Sequence, residues 1–137
     1  YGLKEAVENY CENLNLSADK MGRKGNFRVQ LQAYGMEERM EQSTEIVVYR
    51  IIQELLNNVI RHAGARNVLV QLARVNDRFN LTVEDDGNGF DTSELHNRSG
   101  AGLANIRARA EYLSGNVDIV SRKGEGTSVH IEGNCFV

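Results

Sequence analysis

The sequence predicts an α+β domain, a mixed and mostly antiparallel sheet with about three helices laid on one face. Two observations carry that expectation. Residues 49–63, YRIIQELLNNVIRHA, set Ile51, Ile52, Leu55, Leu56, Val59 and Ile60 at helical spacing, the mark of a long, largely buried helix. Around it stand short stretches in which apolar and polar residues alternate, and one pair of them lies close enough to fold back as a hairpin. At 137 residues, with 41% hydrophobic and 26% charged residues, the chain suits one core and a single domain over residues 1–137.

Residues 2–16 place Leu3, Val7, Tyr10 and Leu14 on one face of an amphipathic helix, and the polar residues 17–26 turn the chain. Residues 27–33 (FRVQLQA) alternate strictly, with Phe27, Val29 and Leu31 inward, as a strand does. A charged loop over 35–42 leads to the long helix. Ser43 or Thr44 is placed to cap it, Glu45 suits its first turn and Gly64 is a natural stop. A second strand covers 67–74, Asn76-Asp77 turns the chain, and a third strand over 79–85 pairs back. The glycine-rich residues 86–102 precede a helix over 103–114, which Gly115-Asn116 ends. Strands over 117–121 and 127–132, joined by Lys123-Gly124-Glu125-Gly126, complete an α-β-α-ββ-α-ββ order.

Charge and composition exclude several classes. A net charge of −3 with scattered Lys and Arg argues against a nucleic-acid surface. No apolar run approaches the ~20 residues that cross a bilayer, so no membrane contact is expected of this chain. Nor do its first residues lead one to expect a signal peptide. Cys11 and Cys135 lie far apart without metal or redox spacing, which suits a reduced, cytoplasmic setting. The chain opens on Tyr1 rather than Met, and is expected to be a piece of a longer protein.

The candidate chemistry sits at the ends of these elements. Glu54, Asn58 and His62 lie four residues apart, and each step turns the side chain by roughly 40°, so they share one stripe of the long helix. A carboxylate, an amide and an imidazole in a row need something polar against them. Arg50 and Arg61 flank the stripe, as site residues or as ordinary ion-pair partners of Glu54; His62 fits a helix-end cap as well as a site. In the strand over 79–85 the inward parity runs Phe79, Leu81, Val83, Asp85. Asp85 is therefore either a solvated turn residue or a carboxylate awaiting a specific donor. The residues after it, Asp86-Gly87-Asn88-Gly89-Phe90, carry two glycines that permit close approach to a ligand. Thr127 shares its face with Val129 and Ile131 and can reach Asp85 from a neighbouring strand. Gly100-Ala101-Gly102-Leu103 opens a helix, where free N–H groups and the dipole favour an anion, phosphate above all. It is neither a Walker loop nor a dinucleotide fingerprint, lacking the Lys-Ser/Thr of one and the third glycine of the other. Arg107 and Arg109, on the same helix, read as solvated or partner-facing.

In register, Glu54-x-x-x-Asn58, Asp85-x-Gly87-x-Gly89, Gly100-x-Gly102-Leu103 and Gly124-x-Gly126-Thr127 closely resemble the GHKL ATPases (gyrase, Hsp90, histidine kinase, MutL). That superfamily has an asparagine box, two glycine boxes, a final Gly-x-Gly-Thr and the two-layer Bergerat sandwich. The wording QELLNNVIRHAGA, VEDDGNGFD and GLANIRARAEYLSG is most similar to the ATP-binding domain of sensor histidine kinases, of the subfamily partnering LuxR-type response regulators. The resemblance runs from Gly2 through Ile131.

The resemblance implies ATP and Mg2+ as cofactors. Asn58 would be the magnesium ligand and Glu54 would position a magnesium-bound water or act as a base, making these two the catalytic pair. Arg61 would offer charge to the phosphates and His62 would border the nucleotide. Asp85 would accept the adenine amino proton, Gly87 and Gly89 would pass beside the base, and Thr127 would support Asp85. Gly100, Gly102 and Leu103 would wrap the phosphates, under a short lid over 91–99 expected to be mobile without nucleotide. His62, His96 and His130 are the only histidines, and none sits in a phospho-acceptor box. The implied activity is transfer of the ATP γ-phosphoryl to a histidine on a separate dimerisation domain, then to a response regulator's aspartate. The parent would be a cytoplasmic or inner-membrane-anchored homodimer, and this piece alone would not phosphorylate itself. A non-catalytic nucleotide-binding module and an anti-sigma-type serine kinase are the alternatives; a transducer-bearing clamp would need more than 137 residues.

Overall fold

The structure, a computed structural model, describes residues 2–20, 27–89 and 101–136. Helix α1 (Leu3–Lys20) is followed by β1 (Arg28–Tyr34), α2 (Gln42–Asn58) with one wide π-helical turn (Val59–Ala63), and the hairpin β2 (Asn67–Val75) and β3 (Arg78–Asp85). Helix α3 (Ala101–Tyr112) then precedes β4 (Asn116–Ser121) and β5 (Thr127–Asn134). The five strands form one sheet in the order β1-β2-β3-β5-β4. Only β1 and β2 run parallel; the other three pairings are antiparallel.

One parity of each strand builds the core. Val29, Val68, Val70, Leu72, Phe79, Leu81, Val83, Val129 and Ile131 are buried together with residues of all three helices. Their strand neighbours of opposite parity are exposed or half-buried, so the helices cover one face. α2 contributes Val48, Ile51, Ile52, Leu55 and Leu56, α3 contributes Ile106 and Ala110, and Leu113 follows in the turn just past it. The expected α+β sandwich is the observed one.

Boundaries moved where tertiary packing outweighed local composition. α1 runs to Lys20 rather than residue 16, because Ala18 packs into the core. Its inner line is Leu3, Val7, Cys11, Ala18; Tyr10 and Leu14 only flank it, half-buried. α2 begins at Gln42, earlier than the cap assigned to Ser43 or Thr44, and Glu41 holds the cap position. Ser43 Oγ turns back to donate to Glu41 Oε1 at 3.1 Å, and Thr44 is fully buried. Glu45, also buried, accepts from Arg39 at 2.7–3.1 Å and from the Met40 N–H at 3.3 Å, which ties the preceding loop to the helix. Arg74 fastens the same loop from β2, donating to the Arg39 carbonyl at 2.9 Å and the Asn76 carbonyl at 2.8 Å. At the exposed edge of the sheet, Asn15 of α1 pairs both backbone groups of Val29, at 2.8 and 3.0 Å, closing part of β1 to other strands. No helix among the described residues is long and apolar enough to cross a membrane.

Candidate functional site

Asp85 is the last residue of β3, and the antiparallel register sets it directly opposite Thr127, the first residue of β5. It is half-buried, not enclosed. Its Oδ1 accepts the Gly87 N–H at 2.9 Å. Burial pushes the carboxyl above its ordinary pKa; the Gly87 N–H pulls it down, the Asp86 charge pushes it up and the Thr127 N–H pulls it down, leaving it raised. Thr127 Oγ1 lies 2.7 Å from Ser121 Oγ, which also donates to the Gly126 carbonyl at 3.2 Å. A serine has one hydroxyl proton, so with that proton on Gly126 the threonine must donate to the serine.

The neighbouring Asp86 does different work. Its Oδ1 accepts the N–H groups of Arg66 and Asn67 at 2.8 and 2.9 Å, and its Oδ2 accepts Asn67 Nδ2 at 2.9 Å. Partial burial pushes its pKa up, but the bonds to Asn67 and Arg66 outweigh that and hold it below the ordinary value. Asp86 thus pins the end of β3 to the start of β2.

Two glycines close the other side. At Gly89 (φ +64°) an added Cβ would sit 2.0 Å from the Arg122 carbonyl oxygen, and at Gly126 (φ +81°) 2.1 Å from the Asp85 carbonyl oxygen. Neither position admits a side chain without moving backbone. The close approach made at Gly89 is therefore to the β4–β5 turn of the same chain. The Gly124 N–H completes the junction by donating to the Asn88 carbonyl at 2.5 Å.

The far end of the central helix meets this turn. Gly64 ends the π-helical turn in the left-handed region (φ +59°), and a Cβ there would stand 3.0 Å from Asn88 Nδ2. Along the polar stripe Glu54 and Asn58 are half-buried, and Arg50 and Arg61 are exposed. The stripe therefore lies at the rim of the core rather than inside it. Neither arginine pairs with Glu54. Its partner is Arg109 of α3, with Nη1 3.7 Å from Glu54 Oε1, so Arg109, expected to be solvated or partner-facing, turns instead toward the central helix. Arg50 instead lines a separate cavity of about 400 Å³ between the starts of α1 and α2, with Leu3, Ile46 and Tyr49. Gly100 and the lid over 91–99 lie outside the described residues, as do the side chains of His62 and Leu103; Gly102 stands in the first turn of α3. The sequence reading missed Asp86, Ser121 and Arg109 as participants. Only an Asp-x-Gly context hinted at the first, and nothing in spacing marked the other two.

Comparison with known proteins followed the same lines. The family model for histidine kinase-, DNA gyrase B-, and HSP90-like ATPases matches residues 43–133. The chain is 33% identical over 136 residues to an uncharacterized sensor-like histidine kinase of Chloroflexus aurantiacus, covering 95% of this chain and 22% of that protein. It is 34% identical over 116 residues to the sensor histidine kinase MctS of Rhizobium johnstonii, covering 83% and 24%. To the sensor histidine kinase ComP of Bacillus subtilis it is 33% identical over 107 residues, covering 77% and 14%. The chain thus spans less than a quarter of each of these relatives. Among solved structures, the Acinetobacter baumannii histidine kinase AdeS matches with a TM-score of 0.76 and 18% identity, over 98% of this chain and 66% of that one. The histidine kinase domain of the Erythrobacter litoralis blue-light activated kinase matches at 0.68 and 22%, over 93% and 60%. These two likenesses show a shared fold.

Proposed function

This chain belongs to the histidine kinase-, DNA gyrase B-, and HSP90-like ATPase family, and from that premise we propose that it is the ATP-binding catalytic domain of a two-component sensor histidine kinase. The whole protein passes the γ-phosphoryl of ATP to a histidine on a separate dimerisation and phosphotransfer domain, and thence to the aspartate of a response regulator of LuxR type. The catalytic domain works in the cytoplasm, as half of a homodimer. One observation carries the reading. The carboxylate of Asp85, the residue set opposite Thr127 in the sheet, and the end of the central helix converge on a single glycine turn, 86–89.

Each residue then has a task that its surroundings suit. Asp85, half-buried, accepts the amino proton of adenine, while the Gly87 N–H holds its Oδ1 in place. Thr127 stands beside it and supports the base, directly or through water. Gly87 and Gly89 keep the turn low beneath the base; Gly100, Gly102 and Leu103 would wrap the phosphates, which free N–H groups at a helix start favour. Arg61, exposed, offers charge to the phosphates, and His62 borders the nucleotide.

The donor set fits magnesium. Asn58 is half-buried with no side-chain hydrogen bond among the described residues, and an amide oxygen with a carboxylate four residues away is what a hard cation takes. Asn58 would hold the ion directly and Glu54 through water; once bound, it neutralises charge on the phosphates. The chain's own contribution is positioning rather than covalent chemistry.

Calorimetry with ADP, with and without magnesium, tests this. One site per chain, tighter with magnesium, is expected. No binding under either condition overturns the reading.

A further inference from the structure

We propose that Arg109 is the positioning residue of Glu54, an inference that rests on the nucleotide reading above and deepens it. At 3.7 Å the contact lies beyond hydrogen-bonding range, so it fixes the carboxylate by charge while leaving both oxygens able to accept from water. Glu54 makes no side-chain hydrogen bond among the described residues, and its side chain is one-third exposed. Arg109 is more confined. Its side chain is 28% exposed, its Nη1 is fully buried, and that nitrogen has no hydrogen-bond partner among the described residues. A buried guanidinium nitrogen needs a counter-charge, and among the described residues Glu54 supplies it. Each group therefore restricts the other.

The pair also joins two parts of the site. Arg109 lies seven residues after Gly102 on α3, about 10 Å along the axis at 1.5 Å per residue. The helix that starts with the second glycine box is thus tied by its last turn to the helix bearing Glu54 and Asn58. Arg109 is placed to act through Glu54 rather than on a reacting atom. It would keep the carboxylate available as the acceptor for a magnesium-bound water.

A double-mutant cycle on this chain tests the inference, reading ADP affinity by calorimetry with and without magnesium and checking folding by thermal melting. Arg109→Met weakens binding about fivefold when magnesium is present, the scale of a half-exposed ion pair, and less than about twofold when it is absent. Arg109→Lys, which keeps the charge, restores part of the loss. In the Glu54→Gln background, Arg109→Met changes affinity by less than about twofold, because its effect passes through the carboxylate. If the methionine variant melts early, Arg109→Gln carries the same cycle. A loss of equal size in both backgrounds, or equal with and without magnesium, overturns the inference and leaves the nucleotide reading standing. Wild-type chain that takes up no ADP overturns both.

Discussion

Asp85 and Asp86 are adjacent carboxylates with opposite electrostatics, and the contrast separates a residue kept for a ligand from one kept for the fold. Asp86 has a depressed native pKa, so its stabilisation is full above its unfolded value of 3.8 and is lost as pH falls through the native one. Asp86→Ala should cost about 1 kcal/mol at pH 7, the scale of charge-assisted bonds on an exposed and solvent-screened carboxylate, with the difference shrinking in acid; urea denaturation at several pH values measures it. Asp85 has a raised native pKa, so its contribution is most favourable below 3.8 and declines as pH rises through the native value. Asp85→Asn should therefore leave thermal stability at pH 7 unchanged or higher. It should nevertheless cut ADP affinity about 10- to 100-fold, the worth of a hydrogen bond to a charged acceptor. A loss of stability without loss of affinity would place Asp85 with Asp86. Strand parity is a local property, and it made Asp85 and Thr127 legible in the sequence. The bonds of Asp86 were hidden because their donors lie 19 and 20 residues back on another strand.

At the scale of elements, the junction between the first glycine turn and the β4–β5 turn is the most constrained part of the site. Gly126→Ala combines a left-handed backbone with a Cβ 2.1 Å from the Asp85 carbonyl oxygen. It should destabilise by about 1–3 kcal/mol and displace Asp85, lowering nucleotide affinity as well. Gly124, with φ +82° but open space around its Cβ position, should lose stability alone when changed to alanine. Urea titration and calorimetry on the two variants distinguish these outcomes. The long helix was readable from its apolar period, yet its start and its final π-helical turn were not. Glu45 is buried by Arg39 and the loop before it, and that packing draws the helix back to Gln42. The Glu54–Arg109 pair escaped for a related reason. Spacing shows which residues share a helix face, but not which face of a second helix will meet it.

For the whole molecule, the element order and the four glycine and asparagine motifs were enough to anticipate the sandwich. The strand order was not, because β5 comes between β3 and β4 and adjacency in sequence favours the simple meander. The same order sets Thr127 beside Asp85, so the topology itself assembles the site. Of the described histidines, His130 is on the helix-free face of the sheet, its Nδ1 2.8 Å from Thr82 Oγ1. With no histidine in a phospho-acceptor box, incubation of this chain with labelled ATP and magnesium should leave no stable label; phosphohistidine on it would refute the division of labour between domains. The most direct test of the central claim is a nuclear magnetic resonance titration of the chain with ADP, first alone and then with magnesium. The Gly87 amide, bonded to Asp85, should shift on adding nucleotide, and the Asn58 side-chain amide should shift further when magnesium follows. Were either signal indifferent to ADP and magnesium together, Asn58 and Asp85 would not serve one nucleotide, and the assignment would fail.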